Sequence, residues 1–161
     1  MLTARIKIGT ASVQDSRYYG LVYLSSDHIV GAPTKGFEET TYPEQGGVNV
    51  SPKTVDDAFD YKVTFFIQTD SLDNANEKIR KFNNLLYTTT PDSDVKTFKK
   101  VTFYNDYKRH MIVGYPHPIS EAKDFWRDKR NQVNDVVIVE WTIRVVKPSE
   151  CNFSITPPEE S

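Results

Sequence analysis

The sequence predicts a β-rich α+β fold, an antiparallel β-barrel or split sandwich with one flanking amphipathic helix. Apolar and polar residues alternate with period two in three separate runs, 2–8, 59–68 and 137–145, each with one face to bury. Only one stretch, 72–86, carries apolar residues at helical steps of three and four. The chain has 161 residues and a mass of 18.5 kDa, a size for one core. The reading is therefore a single domain over 1–148, with a long loop at 26–57 and a polar C-terminal tail at 149–161.

Leu2, Ala4, Ile6 and Ile8 alternate with Thr3, Arg5 and Lys7 as a first strand. A second strand is expected over 19–25, rich in Tyr, Leu and Val, beyond the polar stretch 10–17. Over 26–57, Gly31, Gly36, Gly46, Gly47, Pro33, Pro43 and Pro52 interrupt every periodic run. Connections this long are commonly functional, and Phe37 and Tyr42 are the wrong composition for plain disorder. The segment reads either as a loop that orders on a partner or as a surface excursion carrying a short hairpin.

The clearest strand follows, with Phe59, Tyr61, Val63, Phe65 and Ile67 on one face. Asp70 or Ser71 can cap the helix behind it, whose stripe is Leu72, Ala75, Ile79, Phe82 and Leu86, and Pro91 bars its continuation. Runs 99–104 and 107–115 flank Asn105-Asp106, two residues suited to a turn, and read as a hairpin. Segment 120–131 is read as an extended hairpin arm, although Ala122, Phe125 and Trp126 would also suit a short helix. Val137, Val139, Trp141, Ile143 and Val145 form the last strand, which Pro148 stops.

Lys plus Arg number 20 against 22 Asp plus Glu, a net charge of -2, so the basic footprint of a nucleic-acid binder is missing. No segment has the apolar length of a membrane span, and the start of the chain lacks the unbroken apolar run of a secretory signal. Cys151 stands alone, which excludes an internal disulfide and any multi-cysteine zinc site.

Nothing in the spacing asks for catalysis, so no enzyme activity, metal or cofactor is expected. His28, His110 and His117 have no metal-ligand spacing and read as surface or strand histidines. Asp56, Asp57 and Asp60 precede a strand, and Asp70 and Asp73 lie where a helix dipole favours carboxylates. Gly46-Gly47 is too short to cradle a phosphate and reads as a turn. Arg127, Lys129 and Arg130, with Lys108 and Arg109, are the one basic concentration, read as a solvated hairpin tip.

The order of these elements resembles the N-terminal domain of phage distal tail proteins and, more loosely, the tail-tube fold. The residues concerned are the loop Tyr42-Pro43-Glu44-Gln45-Gly46-Gly47, the strand 59–68, the helix 74–86, the hairpin 101–114 and the closing strand 139–148. The likeness spans residues 35–150 and rests on the sequence of elements, each being a pattern of residue classes. It implies a barrel or split sandwich assembling into a hexameric ring, with DNA passing through it, at the junction of tail tube and baseplate. Partners would be further copies of the chain and tail-tube and baseplate proteins, within a virion tail assembled in the bacterial cytoplasm. A galectin-like or carbohydrate-binding domain after Pro148 is missing, so host-receptor binding is not expected.

Self-association is also expected on grounds independent of the resemblance. Loop 26–57 holds Phe37, Tyr42, Val48 and Val50, apolar groups that gain from burial, and a barrel that does not close leaves strand edges to be covered. Phe37, Tyr42, Pro43, Gly46, Gly47, Val48 and Val50 are accordingly the expected subunit interface. Two other classes remain open, a flavin-binding split-barrel oxidoreductase and a monomeric carbohydrate-binding module using tyrosine platforms. No phosphate-binding cluster at a helix start favours the first, and the nine tyrosines are spread as expected for core and interface packing.

Overall fold

The computed structural model describes residues 3–41, 46, 48–127 and 135–156. Its strands begin with β1 (Ala4–Ile8), β2 (Gln14–Asp15), β3 (Val22–Ser26), β4 (Glu38–Thr41), β5 (Val48–Ser51) and β6 (Phe59–Thr69). After the helix α1 (Leu72–Leu85) come β7 (Tyr87–Thr89), β8 (Lys96–Phe98), β9 (Val101–Asn105), β10 (His110–Pro116), β11 (Ala122–Arg127) and β12 (Asp135–Val145). Single 3-10 turns occupy Ser16–Tyr19 and Pro148–Glu150.

Two half-sheets share the core. One runs β2-β1-β9-β10, and the other runs β3-β6-β12 with β11 against β12; all their pairings are antiparallel. They join where Tyr115 and Pro116 of β10 pair with Arg144 and Ile143 of β12. The fold is the expected β-rich α+β type with one helix, and the barrel is not closed. Gly114 makes the junction possible, because a Cβ there would lie 2.3 Å from the Arg144 carbonyl oxygen.

Alternation selects what is buried. Tyr61, Val63, Phe65 and Ile67 of β6, and Val137, Val139, Trp141, Ile143 and Val145 of β12, are all fully buried. They meet Ala4, Ile6 and Ile8 of β1 and Val101 and Phe103 of β9 in one cluster. Helix α1 covers this core with Ala75, Ile79 and Phe82, and the Phe82 ring meets Trp141 edge-on at 5.3 Å. Ser71 is the cap, its Oγ accepting from the Asn74 N–H at 3.2 Å, while Asp70 instead accepts from the Asn74 side chain.

Several expectations are corrected. Leu72, placed on the apolar stripe, stands at the first position of the helix and is 44% exposed. The second strand begins at Val22, since Tyr19 lies in the 3-10 turn and packs on Phe82. Asn105 is not in the hairpin turn but pairs with His110, and the turn is 106–109, with Arg109 at φ 57°. Segment 122–127 is the expected extended arm, while residues 128–131 of that stretch lie outside the described residues. In the expected tail, Asn152 pairs with Met111, and Phe153 packs against Phe59 and His110.

Candidate subunit interface

Segment 26–57 leaves the sheet under firm control. The Asp27 N–H donates to the Lys62 carbonyl at 3.0 Å, and the Lys62 N–H donates back to the Asp27 carboxylate at 3.0 Å. The excursion is a ribbon: Lys35 N–H donates to the Val55 carbonyl, Asp57 N–H to the Pro33 carbonyl, and β4 then pairs with β5 from Glu38↔Ser51 to Thr41↔Val48. The segment carries the short hairpin that one of its two readings expects. Proline and glycine end the periodic runs at its corners without preventing pairing between them.

Phe37 stands at the entry to β4 and is 56% exposed, an apolar ring without a home on its own copy. Gly46 takes a φ of 63°, a left-handed turn conformation that glycine adopts at no steric cost. The backbones of Val48 and Val50 lie in β5 opposite Thr41 and Glu39. Tyr42, Pro43 and Gly47 lie outside the described residues.

The base of this excursion meets a part-buried polar network that links β3, β6, β9 and β10. Asn105 donates from Nδ2 to Tyr23 Oη at 3.1 Å and to Ser26 Oγ at 2.7 Å, linking β9 to β3, which share no backbone ladder. The Tyr61 hydroxyl donates to Ser26 Oγ at 3.1 Å and shares a 3.0 Å hydrogen bond with His110 Nδ1. The Lys108 ammonium donates to the Ser26 carbonyl, and the ring of His28 stacks on His110 at 5.3 Å. Nearby, Asp106 is 1% exposed and accepts from Thr3 and Arg5, tying the N-terminal strand to the same turn.

Burial sets the protonation of the titratable groups in and near this network. Burial pushes the Tyr61 hydroxyl up to about 12, so it stays protonated. Burial, then the neighbouring His28, holds His110 below its ordinary value against the opposing Ile29 backbone, so it stays neutral. Burial likewise pushes the Cys151 thiol up, although its sulfur accepts from the Val113 N–H at 3.3 Å, so it is not an activated thiolate.

Sequence alone did not single out an exposed apolar cleft of about 550 Å³ between β8 and the β10–β12 junction. Phe98, Tyr115, Pro116, Pro118 and Val146 line it, with Lys96 at its rim. Tyr115 and Val146 are 42% and 45% exposed, and both stand on the outward alternation of long strands or just past their ends. Among the described residues, no three His, Cys, Asp or Glu side chains are grouped to hold a metal ion, and no helix is long and apolar enough to cross a membrane. No protein-family model, curated protein or solved structure matches the chain.

Proposed function

We propose that this chain is a structural, ring-forming adaptor of a phage tail, a distal tail or tail-tube-like component joining tube to baseplate. The observation that carries the reading is the open half-sheet, in which β3 and β11 each have one partner and one unpaired edge among the described strands. Unpaired edges on opposite sides of a sheet are self-complementary in a head-to-tail sense, and a heterologous contact closes into a ring when its rotation permits. The exposed Phe37 on an excursion from the same sheet supports a neighbour lying against that face.

The likeness to distal tail proteins supplies the number six, the tail-tube and baseplate partners, the virion-tail location with assembly in the bacterial cytoplasm, and a central hole through which DNA passes without sequence reading. In this reading the hairpin region of 36–50 lies on the adjoining copy, and no residue is catalytic or binds a cofactor. Native mass spectrometry and negative-stain imaging at high protein concentration test it. Hexameric rings with a central hole are expected. A strict monomer whose loop-deleted form still co-assembles with tail-tube and baseplate partners overturns it.

A further inference from the structure

Within that ring-forming reading, on which this inference rests, the hairpin and the apolar cleft are matched in chemistry. Residues 37–51 contain three glutamates, Glu38, Glu39 and Glu44, and no lysine or arginine. Phe37 and Glu39 are two residues apart along an extended segment, so they share a face, and both are exposed. The cleft carries the opposite pattern. Lys96 and Phe98 are also two apart, on β8, and no carboxylate lines the cleft among the described residues. Lys96 lies 4.6 Å above the Tyr87 ring and has no carboxylate within salt-bridge reach among the described residues, whereas Arg144 at the same cleft is already paired with Asp60 at 3.2 Å. An aromatic ring and an acidic residue two apart on the excursion thus match, in chemistry and spacing, the apolar cleft and the cation two apart on β8.

We propose that the hairpin of one copy docks into this cleft of a second copy, with Phe37 entering among Phe98, Tyr115 and Val146 and Glu39 meeting Lys96. The contact is heterologous, since hairpin and cleft are different surfaces, and so suits a ring or chain of copies. A pocketed aromatic ring is the type of residue that dominates an interface, and the charge pair sets register.

The test measures self-association by analytical ultracentrifugation on wild type, Phe37→Ser, Glu39→Lys, Lys96→Glu and the double variant Glu39→Lys/Lys96→Glu, with thermal melts to confirm folding. Phe37→Ser is expected to weaken association about thirtyfold or more, as for an interface anchor. Each single charge reversal is expected to weaken it about fivefold, and the double variant to recover to within about twofold of wild type. On a Cys151→Ser background, mixing Glu39→Cys chains with Lys96→Cys chains should give an oxidative cross-link between copies, absent when either is oxidised alone. Undiminished association of folded Phe37→Ser, or a cross-link forming only inside one chain that carries both cysteines, overturns the docking site while the ring reading stands. A wild type that stays monomeric at every concentration overturns both.

Discussion

Replacing Gly114 by alanine tests the junction on which the architecture depends. The added Cβ would fall 2.3 Å from the Arg144 carbonyl oxygen, 2.9 Å from its carbon and 2.9 Å from Ile143 Cγ2. Ordinary contact distance is about 3.5 Å, so one strand must retreat by about 1 Å. The strand that would have to yield, β12, is held on its other side by β6 from Asp135↔Thr69 to Val145↔Phe59, so it cannot slide as a unit. Overpacking of this kind costs about 1 to 3 kcal/mol. Opening the Tyr115↔Arg144 and Pro116↔Ile143 pairing, with the His117 N–H bond to the Thr142 carbonyl, adds about 1 kcal/mol per hydrogen bond lost. We expect a total loss of about 3 to 5 kcal/mol, out of a typical stability of about 5 to 15. For a chain of this length each kcal/mol lowers the melting temperature by about 2 to 4 °C, so calorimetry should show a fall of at least about 6 °C. Gly36→Ala is the matched control, because no atom lies within 4 Å of the added Cβ. If Gly114→Ala melts with wild type, the close approach of β10 to β12 is wrong.

Other outcomes follow from the core and its polar network. Phe82→Ala, which removes a ring that is 1% exposed and packed on Trp141 and Tyr19, should cost about 3 to 5 kcal/mol in urea denaturation. His110 is held below its ordinary value of 6.5 by burial first and by His28 second, with Lys108 acting the same way and the Ile29 backbone opposing. The unfolded chain therefore binds the proton more readily, and stability should fall as the pH drops below 6.5, levelling off once the folded form is also protonated. A His110→Gln variant should lose that part of the pH dependence of its melting temperature, and an unchanged profile would remove His110 as its source. Cys151→Ala should leave any assembly intact in native mass spectrometry, because among the described residues the thiol is bonded only to the Val113 backbone and burial keeps it protonated.

The faces of β6 and β12 were legible from the sequence because strand periodicity is local: every second residue from Tyr61 to Ile67 and from Val137 to Val145 is apolar, and every one of them is buried. The helix was legible for the same reason, apart from Leu72, which stands at its first position and is exposed. Composition marked 26–57 as an excursion with an exposed apolar group, and Phe37 is one. Tertiary structure decided the rest. That β10 leaves β9 to join β12 at Gly114 depends on a close approach between residues 30 apart in the chain, which no local pattern encodes. Asn105 and Asp106, good turn formers by type, are 0% and 1% exposed because Tyr23, Ser26, Thr3 and Arg5, some 80 to 100 positions away, satisfy their side chains. His110 has a similar history, its burial set by Tyr61, His28 and Phe153 from three other segments. The cleft beside Lys96 exists only where β8, β10 and the end of β12 come together. Periodicity tells a residue which way to face, whereas partners distant in sequence, brought near by the packing of the whole core, determine what it meets there.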